Sequence, residues 1–137
     1  MRAHGTCLGF DPGARRLGVA SGETVTGRAR ALDVLACRAG EPDWAALRAL
    51  IAEWRPVALV VGIPRHADGS ASTSTRLAER FAGELARRNA ISVHRIDEHL
   101  SSHAAAAALR ERGEGTEVID AEAARIILET WLSEQSP

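Results

Sequence analysis

Apolar positions along the chain change period several times, and the changes divide it into elements. Residues 6–11 and 17–21 are short apolar runs separated by Pro12-Gly13-Ala14-Arg15-Arg16, a pattern that predicts strand, tight turn, strand. Residues 22–27, Gly-Glu-Thr-Val-Thr-Gly, predict a hairpin turn into a third strand over roughly 28–36. The period then becomes helical. Trp44, Leu47, Leu50, Ile51 and Trp54 share one face of a helix over 43–54, with Asp43 as its cap. After Pro56, Val57-Ala58-Leu59-Val60-Val61 is a continuous apolar run, as expected of a parallel strand buried on both faces. Leu77, Phe81 and Leu85 predict a helix over 76–88, and residues 91–96 the next strand. The alanine-rich segment 101–112 ends at Gly113, a helix stop. Ala124, Ile127, Leu128, Trp131 and Leu132 mark one face of a last helix over about 120–133.

The resulting order, βββαβαβαα, predicts an α/β fold. A three-strand antiparallel meander plus parallel strands makes a mixed five-stranded sheet with helices on both faces. Strand 1 is central in that topology. The length fits one domain spanning residues 1–137. The one long loop, 62–75, follows a strand's C-terminal end, where open α/β sheets bind ligands.

Composition narrows the picture little. Hydrophobic residues make up 45% and charged residues 26%, ordinary for a water-soluble domain. No apolar stretch approaches the ~18–20 residues that span a bilayer, and the N-terminus has no long apolar signal segment, so no membrane partner and a cytoplasmic location are expected. Cys7 and Cys37 are too few for a disulfide scaffold or a zinc motif, and Cys7 lies in an apolar strand pattern. The net charge of −1 argues against a strongly basic binding module, although acids that hold metals offset a nuclease's basic face. All 17 basic residues are arginine, whose fork binds two phosphate oxygens together.

The candidate chemistry lies in three acids at the ends of core elements. Asp11 ends the first strand, Asp97-Glu98 ends the last, and Asp120 opens the final helix. Singly, Asp11 reads as a turn residue before Pro-Gly, and Asp120 as a helix cap. Adjacent strand residues point to opposite faces, so one member of Asp97-Glu98 faces any site. Together, Asp11, Glu98 and Asp120 form a candidate carboxylate cluster, which stays ionised only with a compensating cation. Oxygen-only ligation suits Mg²⁺ or Mn²⁺. Arg15, Arg16 and Arg65 sit in the flanking turn and loop as candidate phosphate contacts. Trp44, Trp54 and Trp131 fall on apolar helix faces and read as core.

Four motifs in order carry a family resemblance: Gly9-Phe10-Asp11-Pro12-Gly13 with Arg16-Leu17-Gly18-Val19-Ala20; Val60-Val61-Gly62-Ile63-Pro64 with Asp68-Gly69; Asp97-Glu98 with Leu100-Ser101-Ser102; and Val118-Ile119-Asp120 with Ala123-Ala124 and Ile126-Ile127-Leu128. Over nearly its whole length the chain resembles the YqgF (RuvX) family. These are RNase H-like proteins described as Holliday junction resolvases and as pre-16S rRNA nucleases. The resemblance implies that Asp11, Glu98 and Asp120 are the catalytic acids of a single nuclease domain. It implies a structured nucleic-acid substrate, above all the precursor of small-subunit rRNA, cut to leave a 5′-phosphate. Ribosomal particles are partners on that reading, and the protein acts as a monomer or homodimer. Arg16 fits the family motif. Two departures remove positive charge: His99 stands where the family has arginine, and Glu114-Gly115-Thr116-Glu117 replaces a Lys-Gly. They bear on phosphate affinity more than on metal binding. His99 is a candidate cation among acids or a plain surface histidine. Two other readings stay open: a resolvase of branched DNA with the same chemistry, and a weakly active nucleic-acid-binding factor in transcription or ribosome assembly, which the two departures keep in view.

Overall fold

The computed structural model describes residues 4–66, 68–97 and 116–135, with the side chains of 116–118 excepted. The predicted helix 101–112 lies outside the described residues. A six-stranded sheet has the order β4-β3-β2-β1-β5-β6. Strands β1 (Thr6–Pro12), β2 (Arg16–Glu23) and β3 (Ala29–Arg38) form the expected antiparallel meander. Strands β5 (Ala58–Ile63) and β6 (Ser92–Asp97) add in parallel on the other side of β1. The five-stranded expectation is corrected by β4 (Glu41–Pro42), a two-residue edge strand paired with the end of β3. It arises because the chain turns at Ala39-Gly40, where alanine takes a left-handed conformation (φ 53°) that its sequence does not advertise.

Helices α1 (Trp44–Trp54) and α2 (Thr73–Arg88) cover one face of the sheet, and α3 (Thr116–Gln135) the other. Helix α2 starts earlier than its apolar spacing indicates because Ser72 and Thr75 form a capping box inside a Ser/Thr-rich stretch. The α1–α2 side packs Leu8, Phe10, Leu59 and Val61 against Leu47, Phe81 and Leu85. Trp44 stacks on Phe81 at 5.6 Å. The α3 side is built from smaller residues. Cys7, Ala20, Ala58 and Val60 meet Ala124, Ile127, Leu128 and Leu132, the face read from the sequence. The Ala29 N–H donates to Glu129 Oε2 at 3.0 Å and fixes α3 along β3.

Cys7 is fully buried under α3. Burial, helped by the negative charge of Glu23, pushes its thiol up to about 11. Burial and then Glu41 raise Cys37 as well. The chain has no lysine and no tyrosine, so thiols dominate its alkaline titration. An unfolded thiol loses its proton near pH 9, before the native one, so stability falls as pH rises from 9 towards 11. For Cys7 the loss is about 1.4 kcal/mol at pH 10. Urea midpoints at pH 7 and pH 10 measure it. The drop between them should shrink in Cys7→Ala, and an equal drop in both proteins refutes the assignment.

Candidate active site

Alternation along β1 places Cys7, Gly9 and Asp11 on the α3 face, because Cys7 packs there and a Cβ on Gly9 would lie 2.7 Å from Leu128 Cβ. Asp11 opposes Gly18 across the antiparallel pair. Gly18 is where α3 comes closest to the sheet: a Cβ there would sit 2.1 Å from the Asp120 carbonyl oxygen. Opposed residues of an antiparallel pair have Cβ positions about 5 Å apart on one face. The missing side chain at Gly18 therefore lets the Asp120 turn of α3 settle over the strand pair that carries Asp11, although 109 positions separate the two acids in sequence.

Asp120 lies inside α3, which begins four residues before it at Thr116, and does not occupy the cap position read from the sequence. The β-branched residues Thr116, Val118 and Ile119 are weak helix formers and hid the start of the element. The Asp120 carboxylate accepts from Arg16 Nε at 2.5 Å, and the pair is partly buried. Arg16 stands on β2 two residues from Gly18, on the same face. Its planar fork holds Asp120 in one orientation and leaves the Nη atoms as further donors.

Asp97 turns the other way. Its Oδ1 accepts from Arg65 Nε at 3.0 Å, while Arg65 also lies 3.9 Å from Glu79 of α2. Arg95 donates to the same Glu79 at 2.6 Å. These groups form a charge network on the α2 side. Ile96, beside Asp97, packs with the α3 cluster. Arg65 is thus placed away from the Asp11–Asp120 pair and already holds two carboxylates. Glu98 and His99 lie outside the described residues. Strand β5 separates β1 from β6, and alternation from Ala58 and Val60 puts Gly62 on the α3 face, where it presents no side chain. Arg15 is exposed in the β1–β2 turn. The 64–72 loop is held by its own bonds: Asp68 Oδ1 accepts from Ser70 N at 2.9 Å and Ser70 Oγ at 2.6 Å, which keeps the Asp68 carboxyl below its usual range, and Thr75 Oγ1 donates to the Pro64 carbonyl.

Among the described residues, no three His, Cys, Asp or Glu side chains stand close enough to hold an ion. Asp11 opposes Gly18, over which the backbone of Asp120 lies, so the two residues stand on neighbouring elements of the sheet face. Their hard oxygen donors fit Mg²⁺ or Mn²⁺, which bind through one or two carboxylates and water. Among the described residues no helix is long and apolar enough to cross a membrane.

A family model described as "RuvX: Holliday junction resolvase" matches residues 5–134. A protein of Dechloromonas aromatica named "Putative pre-16S rRNA nuclease" is 46% identical over 131 residues, covering 93% of this chain and 90% of that protein. A protein of Burkholderia ambifaria with the same name is 46% identical over 135 residues, covering 96% and 91%. Among solved structures, Thermus thermophilus RuvC in complex with a Holliday junction superposes with a TM-score of 0.57 at 21% identity, covering 96% of each chain. The fowlpox virus Holliday junction resolvase superposes with the same TM-score at 8% identity, covering 94% of this chain and 99% of that one. At those identities the likeness concerns the fold, which is of the RuvC, RNase H-like type.

Proposed function

The chain belongs to the RuvX family, and from that membership we propose that it is a divalent-metal-dependent endonuclease that hydrolyses phosphodiester bonds of precursor 16S rRNA. The observation that carries the proposal is the seating of Asp120 over Gly18, beside Asp11. Two acids on neighbouring elements at the C-terminal end of a central strand, one of them oriented by Arg16, offer the hard oxygen donors that a divalent ion takes. The names of the curated relatives support RNA from the small-subunit precursor as substrate; that RNA is met free or within assembling ribosomal particles in the cytoplasm on this reading.

In this reading Asp11 and Asp120 hold the ion, with Glu98 as the third ligand. Asp97 is committed to Arg65, which leaves Glu98 as the acid of that pair assigned to the ion. A divalent ion there supplies charge neutralisation at the phosphate and a more acidic water. The chain's own part is positional. Arg16 fixes the Asp120 carboxylate and offers its remaining N–H groups to a phosphate oxygen. Gly62 keeps the space between β1 and β6 open for the backbone being cut.

The family description favours a second substrate, a four-way DNA junction. A direct comparison separates the two. A fragment spanning the 5′ end of precursor 16S rRNA and a synthetic junction are offered to the protein with Mn²⁺. Faster cleavage of the RNA, leaving 5′-phosphate ends and stopping with chelator, is expected. Preference for the junction moves the protein to the DNA reading. Binding of RNA without cleavage of either substrate makes it a binding factor.

A further inference from the structure

The β3–β4 hairpin is held more firmly than a surface turn requires. Ala39 and Gly40 both have positive φ, 53° and 84°, with Arg38 opposite Glu41 across them, which makes a two-residue primed turn. A left-handed alanine is strained and persists only where its surroundings enforce it. They do so here. The Cys37 N–H donates to the Arg15 carbonyl at 2.7 Å, and the Gly40 N–H to the Ala14 carbonyl at 3.0 Å. Arg80 Nη2 donates to the Ala39 carbonyl at 3.3 Å. The hairpin is thereby bolted to the β1–β2 turn, which follows Asp11 by two residues.

This rim presents two exposed guanidinium groups, Arg15 and Arg38. Leu35 and Cys37 pack on the α1–α2 side, while Ala36 opposes Arg16. Arg38, two residues beyond Ala36, therefore stands on the face of Arg16 and is its diagonal neighbour. The acids nearest in the chain are engaged elsewhere: Glu41 accepts from Trp44 Nε1 at 2.8 Å, and Asp43 caps α1. Among the described residues neither Arg15 nor Arg38 has an ion-pair partner, whereas Arg65, Arg87, Arg88 and Arg95 each do.

We propose that this rim is a phosphate-binding flank of the active site. Arg38 and Arg15 grip successive backbone phosphates of the nucleic-acid strand on the β3 side of the bond cut at Asp11 and Asp120. The inference rests on the nuclease reading and adds the direction in which the strand leaves the site. Rigid presentation matters because a guanidinium fork gains most when it is already oriented. Phosphate contacts of this kind position the substrate without reading its sequence.

The test is steady-state cleavage of one structured RNA in Mn²⁺ at several KCl concentrations. The proteins are the parent, Arg15→Ala/Arg38→Ala, and Arg48→Ala on α1 as control. In the double variant KM should rise on the order of 10- to 30-fold at moderate salt, with kcat unchanged. The slope of log KM against log salt should fall by about 2. The Arg48→Ala protein should match the parent. Arg15→Lys/Arg38→Lys should restore the salt slope, which a merely structural role would not predict. If the alanine pair melts early, Arg38→Gln alone should lower the slope by about 1. An unchanged KM and slope overturn the flank and leave the nuclease reading standing. A parent protein that does not cleave overturns both.

Discussion

Asp11→Asn is expected to reduce phosphodiester cleavage by about a thousandfold or more without unfolding the protein. Asparagine has the shape of aspartate, so the pairing of β1 with β2 and β5 is preserved. What it loses is the charge. The amide neither draws a divalent ion as a carboxylate does nor offsets the charge of one already bound, and losing one fixed electrostatic partner of a reacting centre typically costs 10²–10³ or more in rate. A second readout separates metal loss from other defects. Mn²⁺ at about a hundred times its Kd should stabilise the parent by roughly 2.7 kcal/mol, and much less in the variant. Circular dichroism verifies the fold. Cleavage near the parental rate in a folded Asp11→Asn protein would remove Asp11 from the chemistry and with it the proposed mechanism.

The sequence carries the elements of this site more clearly than their arrangement. Val57-Ala58-Leu59-Val60-Val61 reads as a buried strand because both its faces are covered, and the structure buries Ala58, Leu59, Val60 and Val61. The apolar face of α3 is legible because it must meet a core at helical spacing, and Ala124, Ile127, Leu128 and Leu132 do. Local pattern cannot show which acid of a strand-end pair faces the site. The packing of β6 decides it for Asp97: Ile96 beside it belongs to the α3 cluster, so Asp97 stands on the α2 side, where it bonds Arg65, 32 positions earlier. The charge network on that side holds Arg65, proposed from its loop position as a phosphate contact, against Asp97 and Glu79. The β3–β4 hairpin has no clear sequence signal, because Ala39 adopts a conformation usually marked by Gly, Asn or Asp, enforced here by bonds from distant residues. Nothing local to Gly18 in the sequence marks a close approach. Its role appears only when α3 is laid across it.

That role makes Gly18→Ala the most damaging single-methyl change in the described fold. The added Cβ would fall 2.1 Å from the Asp120 carbonyl oxygen and 2.6 Å from its carbon, both backbone atoms of a helix, so no side-chain rotation can relieve the clash. Either α3 lifts at its Asp120 end or β2 bends away. Lifting α3 loosens the neighbouring contacts of Ala124 and Leu128 over Gly9. Overpacking of this kind costs about 3 kcal/mol, which for a domain of this size lowers the melting temperature by roughly 10 °C. Gly83→Ala is the internal comparison. It lies within α2 with nothing inside 4 Å of the new methyl, so it should raise stability by about 0.5–1 kcal/mol. Opposite signs from one chemical change isolate close approach as the cause. Activity adds a second consequence, because whatever moves the backbone of Asp120 also strains its carboxylate's bond to Arg16 and, on the proposed mechanism, displaces a ligand of the ion. Gly18→Ala should therefore lose cleavage at temperatures where it is fully folded, whereas Gly83→Ala keeps it. Equal melting temperatures for the two variants would mean that α3 does not rest on Gly18, and the pairing of the two acids would lose its structural basis.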